Sequence, residues 1–370
     1  MALGYTALGA QMPEQKRAWV KESIRTFREQ FFFQKMMGTS DNSIIQLVTE
    51  LKRTEKGDRA MIGLVQDLEG SGVVGDNDMD GRYSALESSW IEIHTDQLRK
   101  GVKSKGRVDD QRSVLDFRKE AKDRLAYWRA STMEELCILS ASGISYAYNT
   151  NGSTRAVGGE DALTALDFAA DVSAPTSGRH FAFNGTSLVA GDTTTVTTGY
   201  VPKYGMIVDL MAEARTKGIK PLRINGKDHY AYLCHPKTFA KLKKDADFRD
   251  AIINAGERGA NNPIFSGATV TMDGLIIHTN NRVYNTAGTA TKWGSGNLVE
   301  GTRSLLMGCQ ALAVADIWGA ADWFEDTCDD GAKNKITVGM YAGVLKPKYL
   351  SRLDSNTTQD FGVMALDLTL

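Results

Sequence analysis

Residues 109–143, DDQRSVLDFRKEAKDRLAYWRASTMEELCILSASG, constrain this chain more than any other stretch. Val114, Phe117, Ala121, Leu125, Trp128, Thr132, Leu136 and Leu139 recur at steps of three and four residues. Such spacing averages close to one helical turn and gathers these side chains on one stripe. Asp116, Lys119, Lys122, Asp123, Arg129 and Glu134 fall largely off it. Glu120 and Arg124 are placed for an i,i+4 pair worth a few tenths of a kcal/mol. Asp109 and Asp110 suit a helix start, and Gly143 suits its end. The pattern predicts one helix over 109–142, roughly 50 Å long at 1.5 Å per residue. A helix of that length needs a partner along its whole stripe, and the rest of the chain has to supply it.

With 370 residues, the chain has room for about two domains. Apolar residues make up 42%, enough for real cores, and a formal net charge of −1 gives no global pull toward nucleic acid or membrane. The first residues lack the basic start and apolar run of a signal peptide. The most apolar window, 305–321, contains Gln310 and Asp316 and is too short to span a bilayer. Cys137, Cys234, Cys309 and Cys328 are widely separated, so buried free thiols in a reducing compartment are expected rather than a disulfide framework. The expected product is soluble and intracellular.

In chain order, 13–37 has a helical pattern in which Phe27, Phe31, Phe32 and Phe33 crowd together, an arm that must lie on its own subunit or on a neighbour. Residues 43–51 alternate as a strand. Residues 59–65 and 88–95 read as two strands of a hairpin whose connection, rich in Gly and Asp, is far longer than the usual four to six residues. Loops that long are usually functional or disordered. Residues 149–199 are irregular. Helices are predicted over 204–215 and 248–254, and another over 236–244 with Pro236 at its first turn. Strands are predicted over 230–234, 275–278, 304–317 and 361–368. Ile336, Val338, Met340, Ala342 and Val344 alternate as a long half-buried strand. The set reads as α+β, with a second α/β-like body between about 200 and 330.

Gly70, Gly72 and Gly75 spell a dinucleotide-binding triplet, with Asp96 about the right distance on. That chemistry needs a helix N-terminus right after the glycines, and Asp76, Asp78 and Asp80 instead put negative charge where phosphates would sit. A flexible glycine loop is the better reading. Asp76, Asp78 and Asp80 with Glu87 also match the spacing of a calcium loop, in which alternate carboxylates and a distal Glu surround a hard cation. Against that, no helix enters the loop, and an acidic, solvated turn explains the same residues. There is no G-x-S-x-G elbow, no H-E-x-x-H and no Walker sequence. The five histidines are scattered, and His235 reads as a helix-start residue. No enzyme motif stands up to this reading, and no cofactor or small-molecule substrate is implied.

The run from GSGVVGDNDMDG through DQLRKG to DFRKEAKDRLAYW resembles the hairpin and spine helix of tailed-phage major capsid proteins, more narrowly the N-four-like major capsid family. PTSGRHFAFNG, YLCHPKTFAKL, RGANNPIFSGA, DGLIIHTNNRV and LLMGCQALAVADIWG agree in order, so the resemblance covers roughly 40–370. It implies the Hong Kong 97-type capsid fold: an N-terminal arm (1–50), an extended E-loop hairpin (51–107), a peripheral P domain with the spine helix (108–200), an axial A domain (201–330), and a returning long strand and final strand (331–370). It also implies a function, self-assembly through hexamers and pentamers into an icosahedral shell around packaged double-stranded DNA, in a virion made in the host cytoplasm. Portal and scaffolding proteins, and in some shells decoration proteins, are the partners this implies, with no membrane among them. The chain starts directly with a short arm, which favours a separate scaffold. The alternatives are an encapsulin-like compartment shell, which uses the same fold, and, more distantly, a nucleotide-dependent enzyme.

Such a protein needs interfaces rather than a pocket. The expected inter-subunit residues are Asp67, Glu69, Asp76, Asp80, Arg82 and Glu87 in the E-loop, with Phe27, Phe31 and Phe32 docking the arm. Arg99, Lys100, Lys103, Lys105 and Arg107 form a basic cluster just before the spine. It meets acidic loops of a neighbour, faces DNA without sequence preference, or is simply a solvated strand end.

Overall fold

The computed structural model of the protein describes residues 26–27, 30–48, 59–65, 72–83, 88–112, 116–156, 162–224, 226–255, 270–316, 322–351, 353 and 357–370. Its spine is the helix Phe117–Ser142, 26 residues and thus about 39 Å long. The helix is shorter than the sequence pattern suggests. Asp116 is extended, and its carboxylate accepts the amides of Arg118 and Lys119 at 2.9 and 3.3 Å, which fixes the helix start there. Arg107–Arg112 forms a separate short helix, while residues 113–115, including Val114, lie outside the described residues. The apolar period runs on across this break, so periodicity alone cannot detect it. Gly143 closes the helix in the left-handed region at φ 66°, donating to the carbonyls of Leu139 and Ser140.

The long strand β15 (Lys333–Leu345) gives the helix its flat partner. Ala121 and Leu125 pack on Ile336 and Val338, with Phe117, Val102 and Trp323 around them. Leu125 is buried and Trp128 half-buried. Three charged residues placed off the stripe by the sequence, Lys122, Arg129 and Glu134, are also buried. The helix is covered on more than one side, and from Leu136 to Ser142 every residue is buried. Each of these charges has company: Lys122 Nζ lies 3.6 Å from Asp123, the Arg129 guanidinium sits over the Phe27 ring at 4.5 Å, and Glu134 accepts from Asn280. Glu120 and Arg124 form the expected exposed pair at 3.8 Å.

Among the described residues, β15 belongs to a six-stranded sheet. Its path runs from β1 (Met37–Gly38) through β2 (Ile45–Val48), β13 (Leu312–Asp316) and β15 to β14 (Asp322–Cys328), with β5 (Asp96–Lys103) on the other edge of β15. A larger sheet of eight strands runs β10 (Val270–Met272), β11 (Leu275–Thr279), β9 (Lys227–Cys234), β12 (Gly301–Met307), β18 (Val363–Thr369), β6 (His180–Phe183), β7 (Leu188–Ala190), with β8 (Leu222–Ile224) beside β9. Every residue of β12 and β18 is buried. Leu305 and Val363 face the spine-helix side, whereas Leu306 and Leu366 face the helix Tyr204–Thr216, so these strands are apolar on both faces.

The stretch 304–317, one strand by sequence, contains in its described part, 304–316, two strands in two different sheets. Between β12 and β13 the chain turns through Gln310, at φ 52°. An apolar run buried on both faces carries no period that would show the turn. The helices Pro236–Lys244 and Ala246–Ala255 follow the prediction closely, and His235 caps the first by accepting the Lys237 amide on Nδ1 at 3.2 Å. Two hairpins stand apart from the sheets, β3 (Arg59–Val65) with β4 (Ser88–His94), and β16 (Lys348–Ser351) with β17 (Thr357–Asp360).

Candidate assembly surface

Alternation along β3 and β4 divides their hairpin into two faces. Ala60, Ile62 and Ile93 face inward, joining Val48, Ala313, Ala315 and Leu345 in a small core of their own. The hairpin seats on β15 at Gly343, where any Cβ would stand 2.1 Å from the His94 carbonyl oxygen. Met61 and Trp90 point the other way, with Trp90 paired opposite Gly63 and 66% exposed. Arg59 and Glu92 flank them as an ion pair at 3.0 Å.

The described part of the hairpin connection, 72–83, is almost entirely exposed. Val74 at 76% and Tyr83 at 71% leave apolar surface in solvent. The turn is held locally: Asn77 donates to the Val74 carbonyl, and the Asp78 carboxylate accepts the Asp80 amide at 3.0 Å. Asp76, Asp80 and Arg82 are exposed beside them; Asp67, Glu69 and Glu87, with Gly70, lie outside the described residues. Among the described residues no three His, Cys, Asp or Glu side chains converge as a metal site. No helix follows Gly75, so the triplet lacks the N-terminus a pyrophosphate would need.

The aromatic arm packs on its own chain. Phe27 stacks on Phe31 at 5.4 Å, Phe32 meets His278 edge-on at 6.0 Å, and Phe31 is buried in the main core. Phe33, part of the aromatic run but not among the residues expected to dock the arm, is the most buried of the group. Most of the 13–37 helical pattern lies outside the described residues; its described end is a 3-10 turn, Phe32–Met36.

The basic cluster is exposed but divided between two faces. Strand register puts Arg99, Gly101 and Lys103 on the outer face of the smaller sheet, opposite Gly339, Thr337 and Lys335. Lys100 instead lies on the helix side, over the Trp128 ring at 5.8 Å. Lys105 and Arg107 continue the exposed basic run into the short helix.

Buried charge networks are what sequence reasoning missed. Arg303 holds Asp367 bidentately at 2.7 and 3.0 Å, His180 lies 2.7 Å from the same carboxylate, and Arg303 also donates to the Ser142 carbonyl at the spine's end. Arg179, fully buried, donates to the Lys217 carbonyl at 2.9 Å and to the Tyr349 hydroxyl at 3.0 Å. Lys346 and Asp360 form a buried pair at 2.9 Å. The PTSGRHFAFNG motif contains Arg179 and His180, but their partners are distant in sequence, and a local pattern gives no sign of them.

The chemistry of the interior is inert. Burial, then the Glu134 carboxylate, pushes the Cys137 thiol up to about 12, and burial does the same for Cys234. Burial holds the His278 imidazole below its usual range. A groove of about 810 Å³ runs between the arm and the larger sheet, lined by Phe31, Phe32, Met36, Ile44 and Leu222, with Lys35, His229, Tyr230 and His278 as its titratable groups. The arrangement presents surfaces, not a reaction centre.

A spine helix laid along a long strand, a projecting self-paired hairpin and a second sheet covered by helices make up the Hong Kong 97-type capsid fold. The chain superposes on the capsid of Ralstonia phage GP4 with a TM-score of 0.75 at 25% identity, covering 92% of this chain and 91% of that one. On the capsid of cyanophage Pam1 the TM-score is 0.71 at 18% identity, over 100% and 96% of the two chains, a likeness of fold. In sequence it is 42% identical over 366 residues to a major capsid protein of Pseudomonas phage KPP25, covering 97% of this chain and 96% of the relative. The phage capsid protein family matches residues 10–369. The chain belongs to that family: it is a structural, non-enzymatic phage capsid protein that assembles with copies of itself. Nothing in these matches supports the compartment-shell or nucleotide-enzyme alternatives.

Proposed function

We propose that this chain is the repeating subunit of an icosahedral shell built from hexamers and pentamers and filled with double-stranded DNA, and that the β3–β4 hairpin is its reach onto a neighbour. One observation carries the reading: Ala60, Ile62 and Ile93 on the inner face of the hairpin are buried, while its outer face and tip expose Trp90, Val74 and Tyr83. Exposed large apolar side chains grouped on one projecting element mark a contact surface. The acidic residues Asp76 and Asp80 with Arg82 would set the register of that contact, and Phe27, Phe31 and Phe32 would fix the arm. The proposed division places the arm at 1–50, the E-loop at 51–107, the P domain at 108–200 with 331–370 returning to it, and the A domain at 201–330. Contact with DNA would be through phosphates, independent of sequence and weakened by salt. Portal and scaffolding proteins complete the proposed set of partners, with synthesis in the host cytoplasm.

Electron microscopy of the purified full chain, with and without Trp90→Ser plus Tyr83→Ser, tests the reading. Shells or capsomers from the parent, and dispersed subunits of unchanged melting temperature from the variant, are the expected result. Unchanged shells from the variant would remove the hairpin from the interface.

A further inference from the structure

The outer face of the smaller sheet has a charge pattern that its own chain leaves unbalanced. Register aligns Lys103 of β5, Lys335 of β15 and Asp326 of β14 in one row, and Gly101, Thr337 and Phe324 in the next. Directly opposed lysines repel. Asp326 takes Lys335 at 3.0 Å, while Lys103, whose charge reaches Asp329 beyond contact distance, has no ion-pair partner among the described residues. Arg99, Lys105 and Arg107 are likewise exposed and without ion pairs among the described residues. On the other flank, Asp329 is held by Lys333 at 2.6 Å, while Asp330 stands exposed beside it. One flank of this narrow sheet is therefore basic, and the other acidic.

Both flanks are also open. Among the described residues β5 and β14 each pair only with β15, so each keeps an outer row of backbone amides and carbonyls that no other strand satisfies. Charges on such edges repel like edges: basic would not approach basic, nor acidic acidic. They leave one combination favourable. Phe324 adds an apolar anchor on the acidic flank, 56% exposed, with the Lys335 ammonium 5.9 Å from its ring.

We propose that the basic flank of one copy, Arg99, Lys103 and Lys105, docks against the acidic flank of a second copy, Asp326, Asp329 and Asp330, with Phe324 at its centre. Because the two flanks differ, the contact is heterologous: each copy gives one flank and receives the other, which closes into a ring when the rotation allows. The ion pairs of Asp326 and Asp329 with their own lysines are half exposed and water-screened, weak enough for both carboxylates to exchange partners. The contact is independent of the β3–β4 hairpin, whose variants leave both flanks intact.

The test compares assembly of the purified full chain by sedimentation and electron microscopy in three variants: K103E with K105E, D326K with D330K, and all four together. Each pair alone places like charges across the contact and should lower the yield of assembled particles by about tenfold or more. The fourfold variant restores opposite charges and should recover to within about twofold of the parent. Melting temperatures of the dissociated subunits check folding, and Phe324→Ser, which adds no charge, should lower yield without moving them. Three results would overturn the proposal: single-pair variants that assemble like the parent, a fourfold variant no better than the worse pair, or a basic-pair variant that assembles normally but retains less nucleic acid. The last would assign the basic flank to DNA.

Discussion

Arg303 on β12 and Asp367 on β18 stand directly opposite each other in register and form a buried bidentate ion pair, with Nε 2.7 Å from the carboxylate. Arg303 also reaches the Ser142 carbonyl, so one guanidinium ties the spine helix to the centre of the larger sheet. Removing one partner leaves a buried charge uncompensated, which costs on the order of 3–5 kcal/mol. Asp367→Asn and Arg303→Met should each destabilise the subunit by about that much in denaturant unfolding. The double variant R303M/D367L should lose less than the sum of the two.

The same carboxylate sets an acid limit. Burial alone would raise the pKa of Asp367, but the Arg303 charge and the hydrogen bond to His180 outweigh it and hold the group below the usual carboxylate range. A depressed folded value means that its stabilisation is complete above the unfolded pKa, about 3.9, and is lost as pH falls through the folded one. Unfolding midpoints followed from about pH 5 to about pH 2 should drop more steeply in the parent than in Asp367→Asn.

The two ends of the spine differ in what they tolerate. Asp116→Ala removes a cap accepting two amides and should cost about 1 kcal/mol. Gly143→Ala should cost more, because its backbone is left-handed and the new Cβ would lie 2.4 Å from the Ser173 carbonyl oxygen. Thermal melts of the two variants under one condition give the order directly.

At the hairpin, stability and assembly should separate. Trp90 is two-thirds exposed, and its replacement by Ser should change subunit stability by no more than about 0.5 kcal/mol. Gly343→Ala, at the inner seat against His94, should instead destabilise the subunit itself. Melting temperature and particle yield measured together distinguish the two.

The parts legible in the sequence were those with a clean period or a local cap. Ile336 to Val344 alternate and form β15 as read, Pro236 starts its helix, and the hairpin strands pair as predicted. Periodicity failed where burial is two-sided: it merged β12 with β13 and carried the spine helix past Asp116. It also placed Lys122, Arg129 and Glu134 off the apolar stripe and gave no sign of their burial, since a stripe assumes one buried face. Of the surface, the basic run was visible as composition, but only strand register separates Lys100 from Arg99 and Lys103. The ion pairs of Arg303 and His180 with Asp367 join residues far apart in the chain, which a linear pattern cannot show.

The crossing between the two sheets has a mechanical consequence. In residues 308–311 every backbone amide is used: Gly308, Cys309, Gln310 and Ala311 donate to the carbonyls of Gly362, Lys220, Ser43 and Ile44, each at 2.8 Å. A covalent link this short, stapled to three separate segments, leaves no slack, so force applied to either sheet passes to the other without bending at the join. The subunit carries load as one stiff plate. In the proposed shell, adjustment to a neighbour of different tilt would then fall to the hairpin, whose strands, among the described residues, pair only with each other.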